Sequence, residues 1–318
     1  MTGEPANTTE TAPPEAAVAV RGAAAGAAYV ALPPTAVDAR PAGRPGEATE
    51  LIAAWPGFDP PRTAAALAAA MPMTGVPAWR VYLDLPAAAR PPAGLGSAAF
   101  LETEGVHAYA TAVRRAAESL PDVLAALRRD LGLPDGPIGL AGFSAGAAAA
   151  LLVLAAGDVP VSTAALVAPV VSPGRTARLL EQRAGRERAW TAEAAELAER
   201  LDLGTLAPRI AERDTALLLI GGAKDRIVPP AETTALRDTL RRGGMGAVEA
   251  ATFRMGHALA AEPGTEARPP ITEAVRVDGV LSDWFRERIA DLDAPPAGET
   301  RADLRPVRLD LEHAARHN

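Results

Sequence analysis

The chain predicts an α/β fold: a mostly parallel, twisted sheet with helices on both faces and a small helical cap insertion. Three observations carry this expectation. Short apolar runs alternate with stretches of helical periodicity, the pattern of a parallel sheet covered by crossover helices. One run, Pro137-Ile138-Gly139-Leu140-Ala141, passes through Gly142-Phe143-Ser144-Ala145-Gly146 directly into the alanine- and leucine-rich segment Ala147 to Ala156. Two further runs end in loops that hold Asp225 and His257, at the strand ends where open α/β sheets bind ligands.

In chain order, Met1 to Pro14 is polar, proline-rich and acid-bearing, and residues 1–16 are expected to form a disordered N-terminal segment. That stretch lacks the basic start of a signal peptide, and outside the alanine-rich helical patterns no charge-free apolar window approaches about 18 residues, so a cytoplasmic chain without a membrane span is expected. Residues 17–292 read as one domain. Ala17 to Val20 and Ala27 to Leu32 are expected as an edge hairpin, then Leu51 to Trp55 as a buried strand ending in the turn Pro56-Gly57-Phe58-Asp59-Pro60-Pro61. Arg62 to Met71 reads as a short helix, Trp79 to Leu83 as a strand, and Asp84 to Gly105 as a long loop at a binding-site lip. Val106 to Leu131 has helical spacing that Pro121 kinks or splits.

Past the serine segment, Ala164 to Val171 is a short apolar run bounded by prolines, hence a buried parallel strand. Residues 174–214 break the alternation. They are rich in arginine and glutamate, hold Trp190 and show two helical patches, the second capped by Thr191, which defines the expected cap. Alternation resumes with Thr215 to Gly221 as strand, Ala231 to Arg242 as helix, Val248 to Phe253 as strand and Ile271 to Leu292 as a last helix; residues 293–318 form a charged tail.

Composition excludes several functions. The absence of cysteine removes disulfides, thiolate catalysis and zinc–thiolate sites together. A net charge of −7, with the pairs Arg114-Arg115, Arg128-Arg129 and Arg241-Arg242 lying beside acids in helical patterns, argues for solvated helix faces and against nucleic-acid binding. There is no phosphate loop or dinucleotide fingerprint, so no cofactor is expected. His313 and His317 have the spacing of a zinc-binding helix but lack the glutamate of the metalloprotease motif and a third ligand, so no metal is expected either. Lys224 is the only lysine and stands beside Asp225.

The strand, sharp turn and immediate helix around Ser144 form a nucleophile elbow, which raises the serine hydroxyl above the sheet edge, and Gly142 and Gly146 are needed where strand and helix approach closely. A serine nucleophile needs a base. Of the four histidines, His107 lies near a helix start and His313 and His317 in the tail; only His257 lies on a loop beyond a strand downstream of the elbow. The imidazole needs a carboxylate to set its tautomer, and Asp225 follows the buried run ending at Gly221-Gly222.

On G-F-S-A-G, on G-G-A-K-D-R-I-V-P and on M-G-H-A-L, the stretch from Ala17 to Leu292 resembles the α/β-hydrolase superfamily of serine hydrolases, in the manner of esterases and dienelactone hydrolases. The resemblance implies Ser144 as nucleophile, His257 as general base and acid, Asp225 as its orienter, and an oxyanion hole from the backbone amides of Ala145 and Phe58. Many relatives carry histidine where this chain has Pro56, before Gly57. The expected reaction is acyl transfer from a small or medium carboxylic ester, entering beneath the cap and the 84–105 loop. An acyltransferase, thioesterase or peptidase using the same residues, and a non-catalytic binding protein of this fold, are the alternatives.

Overall fold

A computed structural model describes residues 19–35, 40–41, 47–87, 91, 95–186 and 188–291. In chain order the elements are β1 (Val20–Ala24), β2 (Ala27–Leu32), β3 (Arg40–Pro41), β4 (Leu51–Trp55), α1 (Ala64–Ala70), β5 (Trp79–Leu83), a 3₁₀ helix (Gly96–Leu101), α2 (Gly105–Glu118), α3 (Leu120–Leu131), β6 (Ile138–Phe143), α4 (Ala145–Ala156), β7 (Val161–Val167), α5 (Pro173–Arg183), α6 (Ala192–Arg200), α7 (Leu203–Ala211), β8 (Ala216–Gly222), α8 (Pro230–Arg242), β9 (Val248–Phe253), α9 (Thr272–Ile289) and β10 (Ala290–Asp291).

Eight of the strands form one sheet in the order β1-β2-β5-β4-β6-β7-β8-β9. The hairpin β1–β2 and the pair β2–β5 are antiparallel, and every pairing from β5 across to β9 is parallel. Order reverses at β4, which lies between β5 and β6. The carboxyl ends of those central strands are the place where open α/β sheets bind ligands.

Both faces of the sheet are buried because side chains alternate along each strand. Leu51, Ala53 and Trp55 of β4, Leu140 of β6 and Leu217 and Leu219 of β8 belong to one core layer. Their neighbours Ile52, Ala54, Ala141, Phe143, Leu218 and Ile220 belong to the other. The first layer is covered by α2, α4, α7 and α8, the second by α1 and α9. The serine-bearing helix α4 is buried nearly all round, with ten of its 12 residues inside. Its alanines let it sit close to β4, β6 and β7, so few large side chains are needed to fill the layer. Among the described residues no helix is long and apolar enough to cross a membrane.

Several element boundaries differ from the sequence expectation. The first strand is Val20–Ala24, not Ala17 to Val20: four of its five residues are exposed at the sheet edge, so no buried alternation marks it. The helical stretch after residue 105 is divided at Ser119, with Pro121 in the first turn of α3, where a proline's missing donor costs nothing. β7 stops at Val167 because Ala168 takes φ +46°, turning the chain before Val171. Between residues 174 and 214 there are three helices; α5 and α6 reach toward the 3₁₀ helix and α2, while α7 packs between α4 and α8. α9 ends at Ile289, since Ala290 and Asp291 turn extended and pair with β3. The expected terminal segments 1–16 and 293–318, His313 and His317 among them, lie outside the described residues.

Candidate active site

Ser144 occupies the single residue between β6 and α4, with φ 54° and ψ −114°. A non-glycine residue in that region costs on the order of 1–3 kcal/mol, which the surroundings must offset. They do so through backbone. The Ser144 amide donates to the Val167 carbonyl at 2.9 Å, and its carbonyl accepts from Ala148 at 3.0 Å. The flanking glycines are required by contact. A Cβ on Gly142 would lie 2.7 Å from the Ala147 nitrogen, and one on Gly146 would strike the Trp55 and Pro56 carbonyl oxygens. Turn, helix and the end of β4 therefore meet without side chains between them.

Asp225 and His257 are brought together by two loops joined through backbone. Beyond β8 and β9, the Ala223 amide donates to Phe253 at 2.7 Å and the Lys224 amide to Met255 at 2.9 Å. Gly222 permits this approach, because a Cβ there would stand 2.8 Å from the Met255 oxygen. The Asp225 carboxylate is fully buried and accepts three hydrogen bonds: Ile227 N–H at 2.8 Å and Val228 N–H at 2.9 Å on Oδ1, and the His257 Nδ1 at 2.7 Å on Oδ2. Its second oxygen is thus left to the imidazole. The opposite nitrogen, His257 Nε2, lies 2.9 Å from Ser144 Oγ. The ring rests against Phe143 at 5.2 Å between centroids, and the loop behind it is tied to the turn after β4 by Leu259 N–H to the Pro60 carbonyl at 2.8 Å.

The three residues singled out in the sequence therefore form one buried hydrogen-bonded chain. The fourth and fifth, Ala145 and Phe58, lie beside it, one directly after Ser144 and the other in the turn next to the serine. Ala145 opens α4, where first-turn amides have no intrahelical acceptor. Phe58 follows Gly57, whose absent Cβ would stand 2.9 Å from the Ser144 Cβ, so this turn lies against the serine with Pro56 in place. Among the described residues neither amide has a hydrogen-bond acceptor. Phe58 is held from behind by Tyr109, edge to face at 5.9 Å, and Tyr109 by Phe100 of the 3₁₀ helix at 5.0 Å.

Other candidates fall elsewhere. His107 on α2 faces Glu104, the residue before that helix, and Glu193 on α6. The Lys224 side chain is exposed, its amide alone serving the loop contact. Among the described residues no cluster of His, Cys, Asp or Glu is placed to hold a metal ion. One residue of the site was missed in sequence. Asp59, next to Phe58, directs Oδ2 to within 3.6 Å of His257 Nε2. Its signal was its position just beyond a central strand, hidden because aspartate between prolines reads as a turn residue.

The lip is built differently. Within the segment joining α5 to α6, Arg188 pairs with the buried Glu181 at 2.9 Å and donates to the Phe100 carbonyl at 3.1 Å and to the Glu102 carbonyl. Trp190 Nε1 donates to Glu181 at 3.0 Å, and Arg178 lies over the indole at 5.1 Å.

No protein-family model matches the chain, and no curated protein matches it by sequence. Solved structures do. The Thermus thermophilus protein TT1662 is 21% identical over 84% of this chain and 98% of its own, with a TM-score of 0.54. A puromycin-hydrolyzing peptidase of Mycobacterium tuberculosis is 18% identical over 87% of this chain and 40% of its own, with a TM-score of 0.58. An esterase of Pyrococcus furiosus is 12% identical over 86% and 92%, with a TM-score of 0.50. With the strand order above, these likenesses give the chain the α/β-hydrolase fold.

Proposed function

We propose that the protein is a serine hydrolase that cleaves a carboxylic ester of a small or medium molecule through an acyl-enzyme. The observation that carries this reading is the chain from the strained Ser144 through His257 to Asp225, with hydrogen bonds of 2.9 and 2.7 Å. A hydroxyl in this setting has its base in place before substrate arrives.

In the reaction, Ser144 Oγ bonds to the substrate carbonyl carbon while its proton passes to His257 Nε2. Asp225, bonded to Nδ1, holds the tautomer that leaves Nε2 free to accept and stabilises the imidazolium that results. The Ala145 and Phe58 amides face the developing oxyanion, each donor worth about 3–4 kcal/mol of barrier. The tetrahedral adduct collapses as the bond to the leaving group breaks and His257 returns the proton to it. Water repeats the sequence on the acyl-enzyme, releasing the acid and restoring Ser144.

Peptide or other amide cleavage is the second reading. The fold occurs both in the Pyrococcus esterase and in the mycobacterial peptidase, and Asp59 gives a specific reason to weigh a nitrogen-bearing substrate. Hydrolysis of p-nitrophenyl esters of increasing acyl length, with and without added alcohols, thiols and amines, tests the proposal. A burst of one p-nitrophenol per chain followed by acceptor-independent turnover is expected, and it must vanish in Ser144→Ala. Turnover that persists in Ser144→Ala, or that needs an acceptor, excludes the ester-hydrolase reading.

A further inference from the structure

Asp59 is a carboxylate in a place where a negative charge is an obstacle. It directly follows Phe58, to which the proposed function gives an oxyanion-hole amide, and its Oδ2 lies 3.6 Å from His257 Nε2, the nitrogen that stands 2.9 Å from Ser144 Oγ. The carboxylate is fixed from the lip side. Its Oδ1 accepts from the Ser97 amide at 3.2 Å, and its Oδ2 accepts from the Ser97 hydroxyl. Ser97 is buried in the 3₁₀ helix, and Gly96, at φ +52°, has no Cβ to displace Asp59 Oδ1. The fold thus spends a buried serine and a left-handed glycine on holding this group beside the nucleophile.

Among the described residues no arginine or lysine forms an ion pair with it. Among the described residues the only ion-pair partner of Asp59 is His257 itself. Arg62, three residues on, borders the same Gly96 position as Asp59 Oδ1 but gives its guanidinium to Glu262 at 3.0 Å. The side chain is only 20% exposed, so solvent screens it poorly. When the oxyanion forms, a second negative charge appears a few ångströms away, and the imidazolium is already paired with Asp225 on its other side. For a neutral substrate this charge opposes the oxyanion, even as it favours the imidazolium that forms 3.6 Å away. For a substrate that brings a cation to the same spot, it assists.

Resting on the serine-hydrolase reading above, we propose that Asp59 binds a protonated amine carried next to the scissile carbonyl, so that the preferred substrates are aminoacyl-type esters or amides with a free ammonium group. The ammonium donates to Asp59 as the carbonyl enters between Ser144 and the two amides. It supplies a countercharge from the substrate side and fixes the acyl group's orientation. Asp59 is in this account a specificity-determining residue that touches substrate and takes no part in proton transfer.

The test compares two probes that modify an active serine without needing turnover: diphenyl 1-aminoethylphosphonate and its amine-free counterpart diphenyl ethylphosphonate. In each case a bond forms from Ser144 Oγ to phosphorus, phenolate leaves, and the serine proton passes through His257 to it. Second-order labelling rates by intact mass are measured for the parent, Asp59→Asn and Ser97→Ala. The parent is expected to favour the amine probe. Asp59→Asn is expected to lower that preference, read as the ratio of the two labelling rates within the same variant, about 10- to 100-fold, the usual range for a charge-assisted hydrogen bond. Ser97→Ala, which loosens the carboxylate without removing it, is expected to lower the preference by less. If the two probes label the parent at equal rates, or the preference survives in Asp59→Asn, the assignment of Asp59 is overturned while the reading of Ser144 stands. If neither probe labels the parent, both fall together.

Discussion

The chemical centre and its entrance are held by different kinds of interaction. Around Ser144, His257 and Asp225 the ties are main-chain ones: Ser144 to Val167, Ala223 to Phe253, Lys224 to Met255, Leu259 to Pro60. Glycines at 142, 146 and 222 let backbones meet where any Cβ would collide. At the lip the ties are long side chains, with Arg188 reaching both Glu181 and the carbonyls of Phe100 and Glu102. Backbone contacts fix positions closely and tolerate no substitution at the contact, whereas a side-chain latch can be altered without moving a strand. Substitutions at the centre should therefore abolish the reaction, and those at the lip should change its substrate range.

The largest effect that would sharpen this contrast is on the reaction itself. Ser144→Ala or His257→Ala should each lower kcat by about 10⁴- to 10⁶-fold, and Asp225→Asn by about 10⁴-fold, with unchanged thermal stability for Ser144→Ala. Steady-state rates on the preferred ester together with melting curves check this; losses smaller than about 100-fold at His257 would mean that another base serves Ser144.

Next comes the framework. Gly146→Ala should destabilise the protein by about 3 kcal/mol or more, because the added methyl meets the Trp55 and Pro56 carbonyls, neither of which can retreat without moving β4. Urea unfolding reads this directly, and a fully stable Gly146→Ala would show the elbow to be looser than described.

At the lip the expected change is smaller and of another kind. Arg188→Ala leaves the buried Glu181 with only Trp190 as side-chain partner among the described residues and frees the 3₁₀ helix, costing about 1–3 kcal/mol. It should raise KM and broaden acyl-chain tolerance while leaving the rate of Ser144 phosphonylation within about threefold, a split that kinetics on short and long esters resolves. Equal loss in both quantities would erase the distinction between the two regions.

The smallest effect concerns charge near the acid loop. Burial pushes the Glu232 carboxyl above its ordinary value, with Asp202 and Asp225 adding to the rise and Arg175 opposing it, and among the described residues its Oε2 has no hydrogen-bond partner. A carboxyl raised by folding favours the native state while protonated, and that contribution is lost as pH rises through the raised value. Glu232→Gln should therefore raise Tm slightly at neutral pH, and the gain should fade as pH is lowered past the ordinary carboxylate range. Melting curves from pH 4 to 8 would show it.

How far the sequence reached depends on the same division. β4, β5 and β9 begin and end where their apolar runs do, and the elbow, the acid loop and the histidine loop were legible because each is a local pattern of strand, glycine turn and polar residue. β1 was misplaced because an exposed edge strand carries no alternation, and the small residues that run through it into its turn at Ala25 and Gly26 mark no boundary. α7 escaped notice because Gly204 and Pro208 make its sequence look like loop, whereas its burial against α4 and α8 holds it helical. The 3₁₀ helix and its grip on Asp59 were invisible for a different reason. They depend on Ser97, Gly96 and Asp59 meeting across 38 residues of chain, and no periodicity records such a contact.

The central claim is that Ser144 is activated by His257 in the folded resting protein. The most direct measurement is intact-mass labelling by a fluorophosphonate, with peptide mapping, on the parent and on His257→Ala. One adduct per chain, located on Ser144 and formed at least about 1,000-fold more slowly in His257→Ala, is the predicted result. A folded parent that takes up no label, or a label found on a residue other than Ser144, would contradict it.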